Sequence, residues 1–310
     1  MKRFSPFVRL ALAAFVLTAA VSPSPLWACA CGCGVFDVGA TQLMPTQPGG
    51  FAFLEYTYMD QNQNWSGSKK ALDQNNGDKV IRSNFFTAGV QYMVNRSWGY
   101  MVEVPVTARH FETTDDNGMV GGFDHGAVGD VRVRGVYTGL SSDMSTGLTF
   151  GLKLPTGPFD QPDFDRDTQI GTGSTDLLLG AFHQGRVTEI PPAAWFSNIQ
   201  LNEPMLTMGG YRPGSEIDAS LGAYYDDWKT GGFKIVPLAQ ALGSLRWRDQ
   251  GTAADSEGSG YQRLLLAPGL EVSRGPIRVY GDVEFPVYQY VNANQLVAAE
   301  LYKLNVGYSF

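Results

Sequence analysis

From residue 51 to the end of the chain, apolar and polar side chains alternate with a period of two, segment after segment. That period marks a strand with one apolar and one polar face. In residues 51–60, FAFLEYTYMD, Leu54, Tyr56 and Tyr58 share one face while Glu55 and Thr57 share the other. Residues 83–94 set Phe86, Ala88, Val90 and Tyr92 against Thr87, Gly89 and Gln91. Residues 98–111 set Tyr100, Val102, Val104 and Val106 against Glu103, Thr107 and Arg109. The same alternation recurs in 128–140, 145–154, 175–185, 216–225, 232–248, 261–272, 277–288 and 298–310, and weakly in 193–202. About twelve strands are expected.

The connections alternate as well. Short links (95–96, 141–144, 186–192, 226–231, 273–276) take turns with long polar ones (61–82, 112–127, 155–174, 203–215, 249–260, 289–297). Short turns at one end and long loops at the other are the pattern of an antiparallel up-and-down transmembrane β-barrel. An even strand count puts both termini on one side, which in such barrels is the periplasm. A soluble β-sandwich also has many alternating strands, but nothing in it requires this alternation of link lengths.

The N-terminus supports export. Lys2, Arg3 and Arg9 precede an apolar run at 10–21, then prolines and a small-residue stretch ending at Ala28-Cys29-Ala30. That order is a secretory signal peptide. The run is too short to cross a hydrocarbon layer of about 30 Å as a helix. The expected organisation is a signal peptide at 1–28, with cleavage after Ala28 or after Ala30. A periplasmic cysteine-bearing segment at 29–50 and an outer-membrane barrel at 51–310 follow. Beyond residue 40 no apolar run is long enough for a spanning helix. Barrels are the other structure that satisfies every backbone group in lipid.

Composition changes this picture little. A mean hydropathy of -0.13 resembles a soluble protein, but a barrel needs apolar residues only at alternate positions. The net charge of -7 removes the basic footprint of a nucleic-acid binder. Trp98, Tyr100, Trp195, Trp228 and Trp247 fall near strand ends, where an interfacial girdle belongs. The last strand is apolar at 302, 304, 306, 308 and 310 and ends in Phe310. Tyr308 and Phe310 thus resemble the C-terminal signal read by the barrel-assembly machinery. The expected partners are outer-membrane lipid, that machinery and a small-molecule solute.

The middle of the chain carries a further likeness. Gly129-Asp130-Val131-Arg132-Val133-Arg134 is followed by Gly151-Leu152-Lys153-Leu154-Pro155-Thr156-Gly157, then by Gly171-Thr172-Gly173-Ser174-Thr175-Asp176 and Gly180. This order resembles the outer-membrane transporters grouped as the "MetA-pathway of phenol degradation" family. The match covers 129–180; elsewhere only the barrel pattern is shared. The resemblance implies uptake of aromatic or other hydrophobic solutes without fixing which. Pro155 and Gly157 suit the end of a strand and the start of an outer loop.

The polar faces nominate a lumen lining: Glu103, Arg109, Asp130, Arg132, Arg134, Lys153, Asp176, Lys234, Arg246, Arg263, Asp282 and Glu284. Asp130, Lys153 and Asp176 are placed for a cross-strand charge ladder. Mixed signs predict weak ion selectivity. All three cysteines lie in Cys29-Ala30-Cys31-Gly32-Cys33. Closely spaced thiolates suit a soft metal, which makes Cys31 and Cys33 candidate ligands and a scaffold for a periplasmic metal or redox partner an alternative function. Leu26-Trp27-Ala28-Cys29 can also be read as a lipobox, although Trp27 fits it poorly. Asp163, Asp165 and Asp167 have the alternate spacing that collects hard cations, without the glycine and distal glutamate of an EF-hand. No nucleophile elbow, zincin helix or phosphate-binding glycine loop is present, so no enzyme is expected.

Overall fold

The computed structural model describes residues 44–73, 76–114, 118–187 and 192–310. The expected signal peptide and the cysteines lie outside them. The strands are β1 (Gly49–Gly67), β2 (Lys69–Lys70), β3 (Asp78–Met93), β4 (Trp98–Thr114), β5 (Val120–Val128), β6 (Arg132–Tyr137) and β7 (Thr146–Lys153). They continue with β8 (Ser174–Arg186), β9 (Ala193–Thr207), β10 (Glu216–Tyr225), β11 (Trp228–Thr230), β12 (Phe233–Arg246), β13 (Tyr261–Arg274) and β14 (Ile277–Ser309).

Each main strand pairs antiparallel with its sequence neighbours, and the ring closes where β1 meets β14. Eleven elements form the ring, and β2, β5 and β11 are additional strands. β14 is 33 residues long. At about 3.3 Å per residue a single stave of that length would be several times taller than the hydrocarbon layer. It is instead a hairpin. Its first half pairs with β13 up to Val291, and its second half pairs with β1 from Asn294 onward. The fold-back falls at Ala293, whose φ of 44° is left-handed, and Ser309 N donates to the Pro276 carbonyl at the other end. Counted as staves, the ring therefore has twelve.

The alternation sorts side chains as the sequence requires. Leu54, Phe86, Val104, Leu152, Leu221, Leu266, Phe285 and Leu304 are exposed on the outer wall. In water such a belt would be an aggregation surface; in hydrocarbon it is the lipid face. Aromatic rings gather at the end that bears the short turns. Trp98 lies against Tyr137 with centroids 4.7 Å apart, Tyr92 against Tyr100 at 6.0 Å, and Tyr308 against Phe310 at 6.5 Å.

Three expectations about elements need correction. Residues 289–297 are not a loop, because the ladder runs to Val291 and resumes at Asn294. Residues 112–127 are not all loop either: β5 pairs with the upper half of β4, from Val106–Val128 to Thr114–Val120. Its glycines hid the alternation of Phe123 and His125. Lastly, the weak segment 193–202 is a full strand reaching Thr207, since its register is supplied by β8 and β10 on both sides.

Candidate transport lumen and its inward loop

The inner wall is polar and densely paired. Glu103, Arg109, Asp130, Arg134, Lys153, Asp176, Arg246, Arg263, Asp282 and Glu284 all point inward and are buried. Arg134 is ion-paired with Glu103, Lys153 Nζ lies 2.5 Å from Asp176, and Lys303 Nζ lies 3.2 Å from Glu284. Arg246 reaches Asp249 at 2.7 Å, and the Tyr261 hydroxyl donates to Glu216 at 2.5 Å. Arg132 is half-buried, and Lys234 sits at the turn end, 3.6 Å from Asp226. Lys303 was missed, although outward Tyr302 and Leu304 on either side already placed it on the polar face.

Apolar layers interrupt this lining. Met59, Leu242, Leu265, Ala267, Ala298 and Leu301 form one inside the barrel, flanked by Phe85. Met44, Met93, Val136, Met144, Phe182 and Phe196 form another at the turn end. The segment before β1 thus contributes Met44 to closing that mouth.

The three motifs at 129–180 meet at one point. The Asp130 carboxylate accepts from Gly157 N at 3.0 Å, from Thr172 N at 2.8 Å and from the Thr172 hydroxyl at 2.6 Å. Lys153 Nζ stands 3.8 Å from it, so Asp130, Lys153 and Asp176 do form a charge ladder. The Thr156 hydroxyl donates to the Gly129 carbonyl and accepts from Val131 N. Glycine is required here by contact. A Cβ on Gly157 would lie 2.8 Å from the Gly171 Cα and 3.0 Å from the Gly129 Cα, and one on Gly171 would collide with the Gly157 carbonyl.

This knot turns loop 154–173 into the lumen. The expected outward course of that loop is corrected by its contacts. Arg109, deep on β4, donates to the Thr168 and Gln169 carbonyls. Phe164 packs on Phe111 with centroids 5.6 Å apart, beside Ile81 and Leu296. Arg166 lies between the rings of Phe159, at 5.0 Å, and Tyr211, at 4.3 Å. Tyr211 in turn donates to Asp249 at 2.7 Å, which ties the loop to 203–215 and 249–260.

The strands beside this loop differ in length at the loop end. β7 stops at Lys153, opposite Asp176, and its neighbour β8 begins at Ser174, opposite Thr207 of β9. On the other side β5 runs to Val120 and pairs with β4 alone. Met205, Leu206 and Met208 are exposed at this end.

Asp163, Asp165 and Asp167 are not gathered around one point. Among the described residues no group of three or more acids, histidines or cysteines is placed to hold a metal. Cys31 and Cys33 fall outside those residues. For Asp165, partial loss of water and then the Asp255 carboxylate raise the carboxyl above its ordinary range. Asp78 faces it from β3, and Lys79 and Thr113 stand near Asp78. An acid with a raised value favours the folded arrangement while protonated and loses that contribution as pH rises through the raised value. Loop closure is therefore expected to weaken as pH climbs from the ordinary aspartate range upward. Asp165→Asn should flatten that dependence in permeation assays run across pH; an unchanged slope would remove the assignment.

Closed antiparallel strands, an apolar outer belt and a paired polar interior define a β-barrel of the outer-membrane type. The fold is similar to that of an outer membrane channel from Pseudomonas putida F1, with a TM-score of 0.65 at 13% identity over 89% of this chain and all of that one. A monoaromatic hydrocarbon channel (TM-score 0.43, 10% identity, 89% of this chain and 94% of that one) and the toluene transporter of Pseudomonas putida (0.40, 12%, 84% and 89%) overlap more loosely. Overlaps that loose bear on neither fold nor function. By sequence, no family model and no curated protein matches the chain.

Proposed function

We propose that the protein is an outer-membrane channel for small hydrophobic or aromatic solutes, with both termini in the periplasm and the long loops outside. The observation that carries this reading is loop 154–173 folded into the lumen above an apolar layer and buried ion pairs. An axial path for polar solutes meets a loop, an apolar layer and interlocked ion pairs. An apolar solute entering at the loop end would meet the half-buried side chains of Phe159, Phe164 and Ile170. The likeness of residues 129–180 to the phenol-degradation transporters agrees with this solute class.

The test is influx into liposomes carrying the refolded protein, with a small sugar and a neutral monoaromatic alcohol as probes. Faster flux of the aromatic than in protein-free vesicles, with little sugar flux, supports the reading. Free sugar passage with no aromatic preference would make the protein a general pore. No flux of either would remove transport.

The C-terminal pattern makes a separate prediction. Phe310 is exposed on the outer wall beside Tyr92 and Tyr308, so its loss leaves the lumen intact. Phe310→Ala is expected to lower the amount of folded barrel in outer-membrane fractions several-fold. Refolding of the same variant in detergent should be nearly unaffected. Equal membrane levels would show that the pattern is not read as an assembly signal.

A further inference from the structure

At the turn end a half-open cavity of about 190 Å³ is lined by Met44, Phe51, Gln91, Met93 and Arg278 among others. Arg278 is inward-facing, because Ile277 and Val279 on either side of it are exposed. Other inward cations of the strands have partners: Arg134 has Glu103, Lys153 has Asp176, Lys234 has Asp226, Arg246 has Asp249 and Lys303 has Glu284. Arg109 donates to Ser83 and to loop carbonyls, and Arg132 and Arg263 are also engaged. The Arg278 guanidinium has no hydrogen bond or ion pair to any described residue; its recorded contact is the Phe51 ring, 5.9 Å away. Gln91 is 4% exposed. A half-buried guanidinium with no partner among the described residues is costly unless something else satisfies it.

The remaining lining sets Phe51, Met44 and Met93 beside the polar Thr46, Gln47 and Ser309. Phe51 stacks on Phe53 with centroids 5.9 Å apart, and Met44 and Met93 bring polarizable sulfurs that favour ring contacts. In volume the cavity suits one ring: an apolar protein cavity of about 150 Å³ takes benzene. We propose that this cavity binds a small aromatic carboxylate, its ring against Phe51 and the two methionines and its carboxylate on the Arg278 fork and the Gln91 amide. A planar guanidinium matches a carboxylate with two parallel hydrogen bonds, which a lysine ammonium cannot reproduce. The site deepens the transport reading and rests on it for its role, as the last station before the periplasm. Binding itself is measurable without transport.

The experiment is calorimetric titration of the refolded full chain in detergent with benzoate and, as a control, benzyl alcohol. Wild type should bind benzoate saturably. Arg278→Gln should weaken benzoate by about tenfold or more, Arg278→Lys by less, and neither should change benzyl alcohol binding. Gln91→Leu is the second variant, expected to weaken benzoate alone; heat-induced gel shifts report folding of each. Absence of saturable benzoate binding in wild type, or equal affinity in folded Arg278→Gln and Gln91→Leu, overturns the proposal. The liposome assay separates the two readings. Flux of the aromatic alcohol without benzoate binding sinks this site alone, whereas Arg278-dependent binding without any flux keeps the site and removes transport.

Discussion

Replacing Asp130 by alanine is expected to open the barrel to sugars. Its carboxylate receives three hydrogen bonds that hold Gly157 and Thr172 against Gly129, and through them both ends of loop 154–173. Hydrogen bonds to a buried charge contribute about 1.5–3 kcal/mol each. A net loss of about 3 kcal/mol of anchorage would raise the population with the loop displaced about a hundredfold. The strands themselves lose little, because β6, β7 and β8 keep their ladders. Sugar influx into liposomes should therefore rise by at least about tenfold while the gel-shift behaviour of a folded barrel persists. Gly171→Leu should act in the same direction by wedging the knot apart, since its side chain would run into the Gly157 carbonyl. If both variants fold and remain as tight as wild type, the loop is not the barrier, and the apolar layer around Met59 and Leu301 becomes the one to test.

The second large effect is on stability. Arg134 and Glu103 form an ion pair in which both side chains are almost wholly buried. Removing one member leaves the other charged in a poor solvent, at a cost of about 3–5 kcal/mol. Arg134→Met alone should thus lower the urea midpoint of refolded protein strongly. Glu103→Leu combined with Arg134→Met should recover most of the loss, because an apolar pair of similar volume needs no desolvation of charge. The coupling measured by this double-mutant cycle separates a pair from two independent residues. Additive losses would mean that Glu103 and Arg134 are satisfied by other neighbours.

Much of the barrel was legible in the chain. The faces of β1, β3, β4 and β10 follow from alternation, because a strand's side chains point to opposite sides by backbone geometry alone. Ten of the twelve residues nominated for the lining are inward and buried on the same ground. The elements misread are those whose order comes from a neighbour. β5 is glycine-rich, and it is a strand because β4 extends past β6 and offers it a template. The two staves of β14 were expected, but the link between them was drawn too long, because the fold-back at Ala293 needs only a few residues.

The site was legible only in part. The 129–180 motifs were visible as residues, but the reason for them was not. Gly129, Gly157 and Gly171 are far apart in sequence, and their requirement for hydrogen in place of Cβ arises where three backbone segments cross. The alternate aspartates of loop 154–173 suggested a cation site, since spacing cannot tell a chain that wraps an ion from one that turns inward on Phe164 and Arg109. Likewise alternation along β14 puts Arg278 on the inward face, but only the assembled ring shows that its guanidinium has no partner among the described residues. The sequence by itself determined the strands, their two faces and the polar lumen, because these depend on local periodicity. The inward course of the loop and a guanidinium with no partner among the described residues were decided by tertiary structure, because each depends on which distant segments come to lie together.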